Sequence, residues 1–345
     1  MTRRTATLVT SIVTLVLTLG LVSLFPVNFV SFSPGPVKDT LGQAKNQPVI
    51  EVKGYATFPT DGRLDLTTVS VTSPGRDLTL PQAMRNWLDP HRDLFPRDVI
   101  YPPEQTADEA EQESTAEMTG SQDSAVAAAL QEADVPFHPK VSTVSKGSPA
   151  DGKLKPNDVI LTVDGVAATK VPQVGELVRK NKVGDAVVFG IRRSGTEQSI
   201  TVKAAATPGD PNRPMVGISV GVDSPVKVTV NLGQDIGGPS AGLAFALAIY
   251  DKLTPGGLLA GKHVASTGTI DALGQVGPIG GIQQKIAGAR NAGATVFLVP
   301  GSNCDAALHA GVDGIQLVKV ETLHQAVTAL TALAKGSGDV PACTP

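Results

Sequence analysis

The chain has 345 residues and a formal net charge of −3, with 29 lysines and arginines against 32 aspartates and glutamates. This balance gives no electrostatic attraction to a phosphate backbone, so we expect no nucleic-acid partner. The five histidines lack the spacing of metal ligands, and we expect neither a metal nor a cofactor. The length is sufficient for about two domains besides a membrane segment.

The N-terminal segment is apolar. Its run from Leu8 to Val30 carries no charge and is long enough to cross a bilayer of about 30 Å. Arg3 and Arg4 precede the run, and such positive charges stay in the cytoplasm. No Ala-x-Ala cleavage site follows the run. The sequence therefore predicts a retained, single-pass anchor in the cell membrane at residues 1–34, with a cytoplasmic N-terminus and a catalytic region outside the cytoplasm.

The region after the anchor contains strand and helix signals. Val49–Phe58 and Arg63–Val71 alternate like two strands joined by a Pro/Gly turn, and Leu80–Trp87 and Ser121–Glu132 are typical of helices. The acid-rich stretch from Glu104 to Glu117 lies in a region without lysine or arginine. We predict that this stretch is solvated or mobile.

The next region alternates strands and turns, and one turn is Asp164-Gly165. The predicted elements are strands at 141–144 and 159–163, a short helix between them, a second helix at 174–180, and closing strands at 187–192 and 198–204. This pattern, over residues 135–206, resembles a PDZ domain of bacterial proteases. The resemblance implies capture of an extended peptide as an added strand. The segment 134–139, which should bind a C-terminal carboxylate, lacks the usual glycine-rich pattern, and a spacer that only packs against its neighbour is the alternative.

Ser240 and Lys285, 45 positions apart, are the candidate catalytic residues. Ser240 stands in Gly237-Gly238-Pro239-Ser240-Ala241-Gly242, before an apolar run at 243–250 that predicts a buried helix. Lys285 lies one turn into a predicted helix at 282–292. A serine hydroxyl needs a base, and a lysine can be that base only when its pKa is lowered. Taken singly, the two segments are more often an ordinary turn and a solvated lysine.

The chain from Val216 to Leu333 resembles the proteolytic domain of Lon, a Ser-Lys protease. The resemblance rests on Gly238-Pro239-Ser240-Ala241-Gly242, Ser266-Thr267-Gly268-Thr269-Ile270, Gly274-Gln275-Val276-Gly277-Pro278-Ile279-Gly280-Gly281, Lys285 and Ala294–Pro300. It implies that Ser240 is the nucleophile, that Lys285 is the base, and that the hydroxyl of Thr267 helps to hold the lysine. The backbone N–H groups of Gly238 and Ser240 are the candidate oxyanion donors. The family often has an acidic residue directly before Gly-Pro-Ser, where this chain has Gly237 and the nearest preceding acid is Asp235.

These resemblances imply an α+β fold, with a transmembrane helix, a β-rich PDZ-like domain and a Lon-type α/β proteolytic domain. We expect the proteolytic part with the dyad at 207–335 and a C-terminal tail at 336–345. Residues 35–134 are either the first part of the Lon-type domain, which would make the PDZ unit an insertion, or a separate N-terminal region. Lon-type domains commonly form rings, so the resemblance also implies a homo-oligomer.

Lon is driven by ATP, and the segment nearest to a phosphate loop is Gly256–His263. Its glycine and lysine spacing fits, but His263 stands where the Mg²⁺-binding serine or threonine belongs. The segment also follows a predicted helix rather than a strand. We therefore expect an ATP-independent enzyme.

The two cysteines, Cys304 and Cys343, both lie outside the cytoplasm by the predicted topology, where disulfides persist. A bridge would connect the C-terminal tail to the domain and stabilise it by about 3 to 4 kcal/mol. Two free thiols are the alternative.

The leading functional interpretation is a membrane-anchored serine endopeptidase that acts on protein or peptide substrates through a Ser-Lys dyad. A second interpretation is an α/β-hydrolase, because residues 238–242 also fit Gly-x-Ser-x-Gly and His324 could act with Asp305 or Asp313. A third is a non-catalytic PDZ adaptor with a protease-like shell. Reaction of Ser240 with a serine-directed probe separates the enzymes from the adaptor.

Overall fold

The computed structural model describes residues 3–102, 106–233 and 236–344. The helices within these ranges are α1 Arg3–Ser23, α2 Leu80–Trp87, α3 Arg97–Ile100, α4 Ala107–Glu132, α5 Val171–Arg179, α6 Gly242–Leu253, α7 Ile282–Asn291, α8 Cys304–Leu308 and α9 Leu323–Lys335. The strands are β1 Pro26–Val27, β2 Phe29–Asp39, β3 Gln43–Ala44, β4 Gln47–Pro48, β5 Ile50–Lys53, β6 Arg63–Val71, β7 Leu78–Thr79, β8 Asp93–Pro96, β9 His138–Val144, β10 Val159–Val163, β11 Val166–Ala167, β12 Ala186–Arg193, β13 Thr196–Lys203, β14 Ala205–Thr207, β15 Asp210–Met215, β16 Ile218–Asp223, β17 Lys227–Val230, β18 His263–Ser266, β19 Thr269–Ile270, β20 Val276–Gly277, β21 Val296–Pro300 and β22 Gln316–Val320.

The main sheet has the strand order β22-β21-β18-β6-β2-β8 among the described residues. The first four of these strands are parallel neighbours, whereas β2 pairs antiparallel with both β6 and β8. Three of the strands precede the PDZ-like region in the chain and three follow it. Segments on both sides of that region therefore contribute to one sheet.

Helices cover both faces of the main sheet. All five residues of β21 are buried, as expected for a central parallel strand. Val296 and Leu298 belong to the core that contains α6 and α9, and Phe297 and Val299 belong to the core that contains α7. Successive side chains of a strand point to opposite faces, which explains this division.

A second sheet, in the order β13-β12-β10-β9-β16, forms the PDZ-like unit together with α5. The predicted helix at 174–180 and the two closing strands are confirmed. The predicted short helix between the first two strands is wrong, because residues 145–158 form turns. The sheet also includes Ile218–Asp223, which pairs with β9 and lies beyond the predicted range 135–206.

The apolar N-terminal run is divided between a helix and a strand. α1 ends at Ser23, and β2 begins at Phe29 in the main sheet, where Val30 is fully buried. The predicted anchor at residues 1–34 is therefore too long. The prediction was too long because a helix in a bilayer and a buried strand such as β2 have the same apolar composition.

The predicted pair of strands at 49–58 and 63–71 does not form a hairpin. β6 lies where it was predicted, but β5 covers only Ile50–Lys53 and pairs with β17. The place beside β6 is taken by β2. Pairing between segments far apart in the chain overrides the local turn signal here.

The acid-rich stretch is helical from Ala107 onward. Thr106 caps α4: its hydroxyl accepts a hydrogen bond from the Glu109 N–H, and the Glu109 carboxylate accepts one from the Thr106 N–H. Residues 108–117 are helical and mostly exposed, which fits the solvated stretch that was predicted, and the predicted start of the helix at Ser121 is late by several turns. Glu104 lies outside the described residues.

Candidate active site

Helix α4 holds the turn that carries Ser240. Gly238 has a φ of 82°, a conformation that favours glycine, and its N–H donates to the carbonyl of Ser114 over 3.1 Å. Ser121 Oγ donates to the carbonyl of Pro239 over 2.9 Å. Ser114 and Ser121 are two turns apart on α4, so one face of this helix binds both ends of the turn. Residues from before and after the PDZ domain thus build the site together.

Lys285 approaches Ser240 from the first turn of α7. Gly281, with a φ of 66°, precedes the helix. The lysine is only 3% exposed, and its Nζ atom lies 2.9 Å from Oγ of Ser240 and 3.1 Å from Oγ1 of Thr267. The three sequence-predicted side chains are therefore brought together in one hydrogen-bonded group.

Thr267 connects Lys285 to the backbone of Ser240. It follows β18 directly and is fully buried. Its hydroxyl donates to the carbonyl of Ser240 over 3.2 Å and so presents a lone pair to Lys285. The N–H of Gly268 also donates to the Ser240 carbonyl, over 2.9 Å. These bonds fix the backbone of Ser240 relative to the lysine.

Burial lowers the pKa of Lys285 to about 8, from its ordinary value of 10.5. The physical cause is desolvation, which disfavours the ammonium form. None of the ion pairs among the described residues involves Lys285. Asp235, the nearest acid before the Gly-Pro-Ser motif, lies outside the described residues. With this pKa about a tenth of Lys285 is neutral at pH 7, and the neutral amine is the form that a general base requires.

A cavity of about 770 Å³ opens onto Ser240 and Lys285. One wall is the second half of β6, residues 67–71, and the opposite walls are residues 236–241 and 278–280. β18 pairs with β6 only as far as Leu66, whereas β6 continues to Val71. The second half of β6 therefore presents a strand edge to the cavity, and an extended peptide could pair with it.

One of the two predicted oxyanion donors is not available. The N–H of Gly238 is already bonded to the Ser114 carbonyl, so this part of the prediction is wrong for the observed conformation. Pro239 has no N–H. The N–H of Ser240 has no acceptor among the described residues and remains a candidate donor.

Asn303 is a site residue that the sequence reasoning missed. Its Oδ1 atom accepts from the N–H of Ile279 over 2.9 Å, and its Nδ2 atom donates to the carbonyl of Ile279 over 3.0 Å. Ile279 lines the cavity beside Lys285. Asn303 therefore positions one wall of the cavity in the way that a neighbouring strand would. A single asparagine in a predicted loop carries no signal for this role.

The two cysteines are joined in a disulfide directly after Asn303. Cys304 and Cys343 have Cα atoms 5.2 Å apart. The tail is also held to the main sheet, because the N–H of Lys319 donates to the carbonyl of Pro341. The C-terminal tail is thus connected to the segment that carries Asn303.

The residues of the alternative Ser-His-Asp arrangement do not gather at Ser240. Nδ1 of His324 lies 2.8 Å from Oε1 of Glu132, where α9 meets α4. None of His324, Asp305 and Asp313 is among the residues that line the cavity. In the described part of the chain, no three His, Cys, Asp or Glu side chains are grouped to hold a metal ion. The segment from Gly256 to Lys262 connects α6 to β18, the reverse of the strand-to-helix order of a phosphate loop.

Comparisons with known proteins agree with this architecture. Residues 224–330 match the Lon protease (S16) C-terminal proteolytic domain, and residues 116–204 match the PDZ domain. Lon protease 2 of Bacillus subtilis is 38% identical over 93 residues, which are 27% of this chain and 16% of that protein. The Lon protease of Roseiflexus castenholzii is 33% identical over 138 residues, which are 40% of this chain and 16% of that protein.

Among solved structures, the PDZ domain of the SdrC-like protein from Listeria monocytogenes is 24% identical, with a TM-score of 0.23; the match covers 24% of this chain and 86% of that chain. The two family models thus match separate parts of the chain, one part similar to the PDZ domain and a later part similar to the S16-type proteolytic domain. The chain matches 16% of the length of each of the two Lon proteases above.

Proposed function

We propose that the protein is a serine endopeptidase in which Ser240 is the nucleophile and Lys285 the general base. The observation that supports this most directly is the 2.9 Å separation of Ser240 Oγ and Lys285 Nζ at the wall of a cavity. The lowered pKa of Lys285 adds to it, because a lysine must lose its proton before it can accept one.

The reaction follows from this arrangement. Neutral Lys285 takes the hydroxyl proton of Ser240 as Oγ attacks the peptide carbonyl, and the N–H of Ser240 stabilises the oxyanion. Lys285 then gives the proton to the leaving amine, and an acyl-enzyme remains. A water molecule, deprotonated by Lys285, attacks the acyl group, and Lys285 returns that proton to Oγ of Ser240 as the ester bond breaks and the product acid leaves. Thr267 positions Lys285 throughout, since its hydroxyl accepts a hydrogen bond from Nζ.

The test is covalent labelling with a fluorophosphonate probe, which reacts with activated serines. We expect labelling at Ser240, which requires Lys285 and is unaffected by loss of His324. Lys285→Ala and His324→Ala are therefore a matched pair of variants. Absence of both labelling and peptide turnover in the native chain would favour the PDZ adaptor, and dependence on His324 would favour the α/β-hydrolase.

Turnover is proposed to be independent of ATP. The segment Gly256–Lys262, the nearest resemblance to a phosphate loop, joins a helix to a strand and offers no phosphate-binding helix N-terminus. We expect the same rate of peptide cleavage with and without added Mg²⁺ and ATP. A nucleotide-dependent increase would contradict this part of the proposal.

We also propose that α1 is a retained membrane anchor and that the catalytic region lies outside the cytoplasm. α1 is the one helix among the described residues that is long and apolar enough to cross a membrane, although a signal sequence has the same properties. Retention is supported by β2, because cleavage near residue 34 would remove half of a strand that pairs with β6 and β8. Protease added to intact spheroplasts should digest the bulk of the chain, and complete protection would contradict the topology.

The PDZ domain is proposed to be an insertion in the proteolytic domain that recruits extended substrate segments. The insertion is supported by the main sheet, which is built from strands on both sides of the PDZ region. Recruitment is supported by β16, the last strand of its sheet, whose residues Ser219 and Gly221 line a cleft of about 510 Å³. The other side of the cleft is α4, the helix that holds the Ser240 turn.

A further inference from the structure

Helix α2 presents its apolar side to the outside of the protein. Its buried positions are Ala83 and Asn86, one small and one polar. Met84, Trp87 and Leu88, by contrast, are 55%, 75% and 72% exposed. Their spacing of three and four positions places them in one stripe that extends from α2 to its C-cap residue, Leu88. A soluble protein would normally bury such a stripe, so its exposure indicates a binding surface.

This stripe adjoins the end of the proposed membrane helix. The N–H of Leu80, the first residue of α2, donates to the carbonyl of Phe25, two residues after α1 ends at Ser23. β1, at Pro26–Val27, pairs with β7 immediately before α2. Leu24 and Phe25 are themselves exposed. Backbone hydrogen bonds therefore fix α2 at the point where the chain would leave the bilayer.

We propose that α2 lies in the lipid–water interface of the membrane that α1 spans, with Met84, Trp87 and Leu88 inserted at the level of the headgroups. This inference rests on the proposed anchoring by α1. An interfacial helix has apolar and aromatic side chains on one face and polar ones on the other, and tryptophan is enriched at this depth. Arg85 can extend its guanidinium toward lipid phosphates while its stem stays near the apolar stripe.

The bilayer is favoured over a protein partner because α1 would hold this surface against the membrane at all times. The consequence is a defined distance for the active site. Phe32, on β2, lines the cavity of Ser240 and is seven residues from Phe25, so at about 3.3 Å per residue the cavity wall lies within about 25 Å of the membrane surface. Polypeptide segments close to the membrane would therefore be within reach of the cavity.

Trp87 is the only tryptophan in the chain, so its fluorescence reports directly on α2. The full-length protein is reconstituted into vesicles of phosphatidylcholine and phosphatidylglycerol, with or without brominated acyl chains. We expect the protein to float with the vesicles and the brominated lipids to lower Trp87 emission about twofold. The control carries Trp87→Phe and Val166→Trp, which moves the tryptophan to an exposed position on the short strand β11 and should remove the quenching.

The failures of the two proposals are distinguishable. Protein that does not float with vesicles overturns the anchor, and with it the interfacial position of α2. Protein that floats while Trp87 stays unquenched overturns the interfacial position alone, and a Trp87 signal that instead depends on the protein-to-lipid ratio would assign the stripe to a second copy of the chain. Met84→Ser with Leu88→Ser, both at exposed positions, should retain flotation but lose most of the quenching.

Discussion

Oγ of Ser240 and Nζ of Lys285 lie 2.9 Å apart, although 45 positions separate the two residues. The contact arises just beyond the end of β18, where the residues that follow the strand bind both the backbone of Ser240 and the side chain of Lys285. Gly268, which follows that strand, is bonded to the backbone of Ser240, and Thr267 beside it is bonded to Lys285. The end of one buried parallel strand thus sets the position of both side chains, as in other sheets whose sites lie beyond the carboxyl ends of the strands.

The first prediction concerns these two residues. Ser240→Ala and Lys285→Ala should each lower peptide cleavage by at least about 10³-fold, and the double variant should be no worse, because residues that act as a unit are not additive. Lys285→Arg should fail as well, since a guanidinium cannot give up its proton. Lys335→Ala, at an exposed lysine, is the control. Substantial turnover by either single alanine variant would remove the dyad assignment.

The second prediction concerns pH. If Lys285 is the general base, the active form contains its neutral amine, and its pKa is lowered to about 8. The value of kcat/KM should therefore rise with pH, by about tenfold per unit below pH 8, and level off above it. The measurement is a pH profile with a short uncharged peptide. A profile that is flat between pH 6 and about 9 would be inconsistent with a lysine base.

The third prediction concerns stability. At pH 7 folding buries an ammonium group, so Lys285→Met should raise the free energy of unfolding by up to about 3 kcal/mol. Between pH 8 and the unfolded value of 10.5, the unfolded native sequence binds more protons than the folded one, so its stability rises with pH. The advantage of Met should therefore shrink over that range. Denaturant unfolding at pH 7 and at about pH 10 measures the difference in the free energy of unfolding between this variant and the native chain, with Lys335→Met as the control.

Elements with strong local signals were predictable. α2 and β6 lie where the sequence patterns placed them, because alternation and helical spacing are properties of adjacent residues. The boundary between α1 and β2 was not predictable, because a membrane span and a protein core select the same apolar residues. The pairing of β5 with β17 was also beyond local reasoning, since it joins segments on either side of the PDZ domain.

The residues of the site were predictable from their sequence motifs, but the tertiary contacts that hold them in place were not. Ser240, Thr267 and Lys285 were identified from short segments, and the structure brings their side chains within hydrogen-bonding distance. The contribution of α4 was not foreseen, because Ser121 lies 118 positions before Pro239 and serines in helices are unremarkable. Tertiary hydrogen bonds of this kind leave no periodic signal in the sequence.

The fourth prediction concerns Asn303. Asn303→Ala removes both hydrogen bonds to the backbone of Ile279, at a cost of about 1 to 3 kcal/mol, and should raise KM about tenfold with a small change in kcat. Asn303→Asp keeps the acceptor and should be intermediate. The midpoint of the pH profile should stay near the native value, because Lys285 is untouched. Ser302→Ala, at the exposed neighbouring position, is the control. An unchanged KM would mean that Ile279 does not need this support.

The last prediction concerns the cleft between α4 and β16. Gly120 lies within α4 and lines the cleft, and a Cβ atom built there meets nothing within 4 Å. Gly120→Ala should therefore stabilise the helix by about 0.5 to 1 kcal/mol without affecting cleavage. Gly120→Phe should also stabilise the helix, by less than alanine does, but its ring fills space that a recruited substrate segment would need.

If substrates bind along β16, Gly120→Phe should raise KM for a long unfolded polypeptide such as casein about fivefold, because the tether that concentrates it near Ser240 is lost. A short fluorogenic peptide that fits the cavity alone should be cleaved at the native rate. The two substrates must be compared in the same preparation, with Gly120→Ala as the matched control. Equal loss on both would show that the substitution acts through Ser114 and Ser121 on the nucleophile turn, and recruitment through this cleft would then be excluded.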